Sequence, residues 1–398
     1  MKVLSGIKLG WLLTVTTLFL VLSSQAQRES SWWYFGNKGE LHFTKTTAKS
    51  DTFGVLVTLE GCASVSHRLS GDLLFYTDGD SIWDSTHIAM PNGHGLLGHR
   101  SSSQSAIIVP YPGNKFLYYI FTIDDGALNK GRNGLRYSVV DMRLNGGKGD
   151  VDTTRKNLML MSRAGERLAA VEHHNLTSIW VIAQKYGSNE FYSFEVGRSG
   201  IGPPVISRIG PSPMNPFFPG EMHLGCMKVD PIGSMVAFVY TGAGSVTLTD
   251  FDNKTGILSN ERTATLKKNK LPYGVGFSPN GKYLYLGMFE EVRQFDASAP
   301  AWQFRRSKGI RVLKKSGVIY SAIQQALNKK LYISTFNNDA LTVVNNPNVR
   351  GTGCNTVHGG QPLDTGGCMA GLPSFVQSYF APTHLKIKVT IYKSTLQF

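Results

Sequence analysis

The fold of this chain is decided by a short repeated pattern, seen best in residues 277–286, FSPNGKYLYL. Apolar and aromatic residues flank the polar turn PNGK, and this arrangement predicts two antiparallel strands joined by a tight turn. Similar patterns occur at residues 229–238, VDPIGSMVAF, and at residues 326–333, ALNKKLYI. Their turn positions are 48 residues apart. A fixed spacing of this kind indicates a structural unit that is repeated along the chain.

Looser copies extend the repeat toward the amino terminus, at residues 70–76, 112–121 and 174–182. The six units have a mean spacing of about 52 residues, near the roughly 40–50 residues of a four-stranded propeller blade. Alternation with a period of two excludes helical repeats. We expect the remaining segments, residues 32–43 and 374–380, to pair in a last blade that closes the ring. The sequence therefore predicts an all-β fold, a β-propeller of seven four-stranded blades.

The amino terminus has the features of a secretory signal peptide. Lys2 and Lys8 precede an apolar run at residues 11–22, and the small-residue stretch Ser-Ser-Gln-Ala follows it. The run has about 12 residues, fewer than the roughly 20 that span a bilayer. We therefore expect cleavage after Ala26 and an exported protein without a transmembrane segment.

The rest of the chain divides into residues 27–380, the predicted propeller, and residues 381–398, a basic tail that matches no blade pattern. The tail is either a frayed end or the start of a further region. Of the 398 residues, 41% are hydrophobic and 17% are charged, which excludes a disordered chain or a charged coiled coil. The formal net charge of +14 makes polyanions candidate partners.

Four cysteines are too few for a disulfide scaffold, even in an exported protein. Cys354 and Cys368 flank a glycine-rich loop, and they form either one disulfide or two free thiols. Cys62 and Cys226 lie beside apolar strand patterns, and we expect them to be small buried side chains. The cysteine spacing does not suggest a zinc site.

One histidine stands out as a candidate functional residue. His173 follows the strand pattern of residues 168–172 and is predicted to lie near the central channel, either as a ligand or catalytic group or as a hydrogen-bonded residue of an inner strand. Asp-Gly pairs elsewhere are typical of turns rather than of calcium sites. The sequence contains no recognisable catalytic, metal or cofactor motif, so we expect no cofactor.

Basic residues are concentrated between the later blades, together with an aromatic residue. Arg305, Arg306, Lys314 and Lys315 lie near Trp302. These side chains either form one face that binds an acidic glycan, with the indole stacking on sugar rings, or are an ordinary solvated surface. No nucleic-acid-binding module is recognisable, and nucleic acid is not an expected partner.

Several segments make the chain similar to a known family. They are WYFG (33–36), FYTDG (75–79), MPNGHGLLG (90–98), YSVVDMRLNGG (137–147) and GLPSFVQSYF (371–380). The chain resembles the amino-terminal propeller, of YVTN or WD40-like repeat type, of Bacteroidota cell-surface proteins that carry gliding-motility-associated or type IX secretion sorting domains. The resemblance covers residues 32–380, and it implies a propeller fold at the cell surface.

These observations favour a secreted or cell-surface binding module without catalytic activity, whose partner is a surface protein, an extracellular protein or an acidic glycan in adhesion or gliding. The alternative is a secreted propeller enzyme, a lactonase, glycan hydrolase or lyase, that uses the central channel. The expected location is extracellular or on the outer membrane, or the periplasm if no sorting domain follows.

Overall fold

The computed structural model describes residues 27–210, 223–266 and 270–381. The predicted signal peptide and the tail beyond Ala381 lie outside the described residues. The described chain is a β-propeller whose strands form six antiparallel sheets arranged around a channel, which confirms the predicted all-β fold. One α-helix is present in this part of the chain, α1 (Ala301–Arg306). None of its helices is long and apolar enough to cross a membrane.

The first five sheets are blades I to V, each formed by consecutive strands. Blades I and II contain β1 (Trp32–Phe35), β2 (Gly39–Phe43) and β3 (Ala48–Ser50), then β4 (Ala63–Ser66), β5 (Leu73–Thr77) and β6 (Ile82–Asp84). Blade III contains β7 (Ala106–Pro110), β8 (Leu117–Ile123), β9 (Leu135–Asp141), β10 (Asp150–Val151) and β11 (Leu158–Met161). Blade IV contains β12 (Ala164–Glu172), β13 (Ile179–Lys185), β14 (Glu190–Gly197), β15 (Gly200–Ile201) and β16 (Val205–Arg208). Blade V contains β17 (Met227–Val229), β18 (Met235–Tyr240), β19 (Ser245–Asp252) and β20 (Ile257–Thr265).

The sixth sheet contains two blade units. Its strands are β21 (Gly274–Phe277), β22 (Tyr283–Asp296), β23 (Ile310–Gln325), β24 (Leu331–Thr335), β25 (Ala340–Val344) and β26 (Thr356–Pro362). β22 turns back on itself at Glu290, which has a φ of 65°. β23 turns at Gly317, so that its first half pairs with β22 and its second half with β24. Blades VI and VII are therefore joined, and the ring has seven units.

The inner strands β4, β7, β12, β17 and β21 contact one another in order around the channel. Their side chains are nearly all buried, because each blade packs on both neighbours. Aromatic rings fill the seam between the first and last blades, where Trp33 packs against Tyr332 with ring centroids 5.8 Å apart. The core therefore lies between the blades, and the inner strands bring their ends to the two mouths of the channel.

Ring closure differs from the prediction. Residues 374–380 form no strand with β1; they approach it through side chains, with Phe375 packed 5.9 Å from Trp33. Isolated parallel bridges are formed instead, by Pro373 with Cys62 of blade II and by Val376 with Ala170 of blade IV. Ala370 accepts a hydrogen bond from the Ala322 N–H of blade VII, so the chain passes from blade VII to blades II and IV. Because no two of these three blades are neighbours in the ring, the chain lies across the channel. We call residues 367–380 the cross-channel segment; it ends in a 3-10 turn, Gln377–Phe380.

All four cysteines are free and buried, so of the two alternatives for Cys354 and Cys368 the structure has the two free thiols. The reason is their packing in different clusters. Cys354 belongs to a cluster within blades VI and VII, whereas Cys368 belongs to the main core near the cross-channel segment. Cys62 and Cys226 are buried small side chains, as expected.

Candidate active site

A cavity of about 980 Å³ opens at one end of the channel, at the upper end of the roughly 300–1,000 Å³ range typical of small-molecule sites. It lies where β12 ends at Glu172, and we call this end the cavity face. The cross-channel segment supplies Ser378, Tyr379 and Phe380 to the lining. The channel is therefore closed behind the cavity, which has the form of a pocket.

The charged side chains around the cavity are mainly basic. Four cationic residues line it, against one carboxylate, that of Glu172: Arg28, Lys45, Arg68 and Lys329. Because these residues come from separate loops, their charges act on the same space without being neighbours in sequence. The cavity therefore attracts oxygen-rich or anionic molecules.

The turn after β12 is fixed from two sides. The amide group of the Asn253 side chain, in blade V, donates to the Glu172 carbonyl oxygen over 3.0 Å and accepts from the His174 backbone N–H over 2.9 Å. On the other side, the Glu172 backbone N–H donates to Ser378 Oγ over 2.9 Å. Two neighbouring elements thus determine where the Glu172 and His173 side chains lie.

The His173 ring has one defined orientation. It is stacked on Trp180, with ring centroids 5.1 Å apart, and its Nδ1 accepts a hydrogen bond from the Asn175 backbone N–H over 2.8 Å. Because Nδ1 is the acceptor, the neutral ring has its proton on Nε2. The structure places His173 in the lining of the cavity, where the neutral ring is able to donate a hydrogen bond.

A second stacked imidazole, which the sequence analysis did not identify, lines the same cavity. His42 in β2 lies on the Trp32 indole, with centroids 4.2 Å apart and planes 16° apart. Burial lowers the pKa of His42 from its ordinary value, although Asp51 opposes the shift. Trp32 and His42 face each other across a hairpin, and this pairing can be recognised only when the register of the two strands is known.

Behind the cavity wall lies a buried carboxyl group, that of Glu29. Burial raises the pKa of Glu29 to about 7, although the exposed Arg68, whose Nε lies 3.7 Å away, favours the charged form. Glu29 does not line the cavity; its neighbours Arg28 and Arg68 do. It is therefore a titrating group of the wall and is not placed to touch a ligand.

The opposite end of the channel, which we call the carboxylate face, contains Glu60, Asp125 and Glu166. Glu166 lies six residues before Glu172 on β12, about 20 Å away along an extended strand. Its carboxylate accepts from the Ser103 backbone N–H and Oγ and from the Gly126 N–H, over 2.8–2.9 Å.

Burial also governs the ionisation of this end. It raises the pKa of Glu166 to about 7 and, together with repulsion from Glu166, that of Glu60 to about 9. Within residues 27–210, 223–266 and 270–381, no group of three or more His, Cys, Asp or Glu side chains is placed to hold a metal ion.

The predicted basic residues lie on two elements, α1 and β23. Arg305 and Arg306 belong to α1, where Arg305 donates to the Glu261 carbonyl oxygen and Arg306 lies over the Trp302 ring. Lys314 is four residues along β23 from its start at Ile310, a separation of about 14 Å. Trp302 remains 63% exposed.

This chain belongs to a family of propeller enzymes. Residues 112–352 match the family described as Lactonase, 7-bladed beta-propeller. The match covers more than half of the chain, and the description agrees with the seven units counted above. A search of curated proteins finds no match to the sequence.

Known structures resemble the chain in fold only. A putative 6-phosphogluconolactonase from Bacteroides fragilis is 11% identical, with 86% of this chain and 97% of that chain covered and a TM-score of 0.49. A putative 6-phosphogluconolactonase from Bacteroides uniformis is 14% identical, with 71% and 77% covered and a TM-score of 0.40. Hydrazine synthase from Kuenenia stuttgartiensis is 15% identical, with 80% and 96% covered and a TM-score of 0.47.

The family membership corrects the functional interpretation. A binding module without catalytic activity was favoured because the sequence contains no contiguous catalytic motif, and this interpretation is wrong: the matched family is one of lactonases. The alternative, a propeller enzyme that uses the central channel, agrees with the family. A motif-based search fails here because a propeller assembles its sites from single residues on several blades.

Proposed function

We propose that the protein is an enzyme that opens a lactone ring by adding water, and that the reaction takes place in the cavity. The observation that carries the proposal is the His173 ring, which is held by Trp180 and Asn175 at the wall of a cavity lined by cationic side chains. Membership of the lactonase family supports the reaction class.

In the proposed reaction the cationic side chains bind the oxygen atoms of the substrate and orient the ring. His173 donates its Nε2–H to the lactone carbonyl oxygen. When water adds to the carbonyl carbon, this oxygen becomes negatively charged, so the hydrogen bond strengthens in the transition state. The ring C–O bond then breaks, and the product is a hydroxy acid. Glu172 is suited to accept hydrogen bonds from substrate hydroxyl groups.

The test is hydrolysis of a panel of five- and six-membered sugar lactones by the purified full-length protein, measured as proton release above the spontaneous rate. We expect His173→Gln to lower kcat/KM about 100-fold, the size of effect seen when one oxyanion donor is removed. His94→Asn is the matched control, because His94 is exposed and lies outside the cavity. A wild-type rate equal to the spontaneous rate for every lactone would refute the proposal.

We also propose that the protein is exported. The signal-peptide pattern of residues 1–26 and the resemblance to Bacteroidota cell-surface propellers support this location. Mass spectrometry of the protein from the outer fractions of cells should show an amino terminus at Gln27. Recovery of the uncleaved chain from the cytoplasm alone would contradict the location and would leave the proposed reaction unaffected.

A further inference from the structure

Three histidines line the cavity, His42, His173 and His174. Among them, His42 has a ring that is held in one orientation by stacking. The stacking of His42 on Trp32 restricts rotation of its ring. Yet neither ring nitrogen has a hydrogen-bond partner among the described residues, in contrast to His173, whose Nδ1 is occupied by the Asn175 N–H. An oriented imidazole with free nitrogens at the wall of a cavity is available for proton transfer.

The charged surroundings of His42 also determine its protonation. Lys49 is its cross-strand neighbour in β3, and Lys45 lies in the turn that follows β2 and also lines the cavity. Asp51, just beyond β3, is the acidic group that acts on the ring. Burial and Lys49 lower the pKa of His42 and outweigh Asp51, so the ring is mainly neutral at pH 7.

We propose that His42 is the general base of the lactone hydrolysis proposed above, on which this inference rests. A ring nitrogen of His42 takes a proton from water while the water oxygen forms a bond to the carbonyl carbon. The ring C–O bond of the lactone then breaks, and the leaving alkoxide oxygen receives that proton back from the imidazolium. The sum is lactone plus water giving a hydroxy acid, and the imidazole is regenerated.

His173, Glu29 and Glu172 are less suited to this role. The Nδ1 of His173 already accepts a hydrogen bond from the Asn175 N–H, so its neutral ring is left with Nε2–H, which is a donor. Glu29 does not line the cavity. A carboxylate such as Glu172 belongs to a weaker class of base than an imidazole, whose ordinary pKa lies nearer to neutrality, where general bases are most effective.

The kinetic test compares wild type with His42→Gln over pH 5–8.5, using a lactone that the wild type hydrolyses. We expect kcat to fall 10²–10⁴-fold, the usual contribution of general base catalysis, with KM changed less than threefold. The wild-type rate should fall at acidic pH with an inflection below pH 6.5, and the variant should lack this inflection. His67→Asn is the control, because His67 is exposed and does not line the cavity.

A second measurement does not depend on turnover. Nitrogen NMR of the imidazole groups, with His42→Gln used for assignment, should show a neutral His42 at pH 7 whose signals shift when D-gluconate is added. Three results would overturn the inference while lactone hydrolysis by the wild type stands. They are a protonated His42 ring at pH 7, imidazole signals that do not shift when gluconate is added, and a His42→Gln variant with wild-type kcat. Absence of hydrolysis by the wild type would instead refute the proposed function itself, and with it the role of His42. A His42→Gln protein with an altered melting temperature would leave the NMR result as the deciding one.

Discussion

The two ends of the channel differ in the burial and hydrogen bonding of their charged side chains. At the carboxylate face, Glu166 is buried and accepts three hydrogen bonds from Ser103 and Gly126, so its charge is used within the protein. At the cavity face, Glu172 is only half-buried, and cationic side chains point into an open space.

Glu166 and Glu172 belong to the same strand, β12, so their different roles cannot come from the strand itself. The different roles come from the surroundings of the two ends of the strand. At one end lie the loops that contain Ser103 and Gly126, and at the other end lies the open cavity. The Glu166 carboxylate, whose three donors are supplied by the fold, is structural, whereas Glu172 is one of the residues that line the cavity.

The largest change in stability is expected for a substitution in the cross-channel segment, which separates the two ends of the channel. Phe375 is 2% exposed and packs between Trp33 and Phe380. Phe375→Ala should lower the free energy of unfolding by about 3–5 kcal/mol, because it leaves a cavity in the core. Urea unfolding measures this change. Phe116→Ala is the control, since Phe116 is 40% exposed, and a loss for Phe375→Ala no greater than that of the control would show that the segment packs loosely.

A change of pH should affect both ends together. The pKa values of Glu29 and Glu166 are about 7 in the folded protein, above the ordinary 4.5. Between these values the folded state binds more protons than the unfolded state, so stability decreases as pH rises through this interval, by roughly 1.4 kcal/mol per pH unit and group at most. Calorimetry should therefore give a Tm several degrees higher at pH 5 than at pH 7.5. A Tm that rises over this interval would contradict the burial of both groups.

Two amide substitutions on β12 test the comparison directly. Glu166→Gln places an NH2 group against the donors Ser103 and Gly126, and should lower the free energy of unfolding by about 1–3 kcal/mol with lactone hydrolysis unchanged. Glu172→Gln should do the reverse, raising KM with little change in stability. Chemical unfolding and steady-state kinetics on both proteins provide the measurements. Loss of activity in Glu166→Gln at unchanged stability would place the site at the other end.

The smallest change in stability and activity is expected for surface residues that lie away from both ends of the channel. Replacement of Arg305, Arg306, Lys314 and Lys315 by Gln removes exposed charges from two separate places on blade VI. Surface charges contribute little, so the free energy of unfolding should change by less than about 1 kcal/mol and lactone hydrolysis should be unaffected. A tenfold change in kcat/KM would indicate that these residues steer substrate toward the cavity.

The fold could largely be predicted from the sequence because each blade repeats the same local pattern, a polar turn between two apolar strands. The closing segment could not, because residues 374–380 have strand-like composition and yet end in a 3-10 turn that depends on contacts with blades II and IV. The state of Cys354 and Cys368 stayed open for a related reason: spacing along the chain does not reveal that they pack in different clusters.

The candidate site was accessible only in part. His173 was identified because it stands at the end of a clear strand pattern. His42 lines the same cavity as Lys329 and Tyr379 but lies 287 positions before the first of them, and only the closed ring brings the three together. The reaction class required the family match, since single residues gathered from several blades leave no contiguous motif.

The cross-channel segment also imposes an order on folding. Every blade precedes it in the chain, yet it contacts the inner strands of blades II, IV and VII, including a hydrogen bond from the Ala322 N–H to the Ala370 carbonyl oxygen. During synthesis the blades emerge one after another, but the centre of the ring stays unfilled until this segment leaves the ribosome. Nascent chains that stop before residue 367 should therefore remain sensitive to protease even though all seven blades have been made.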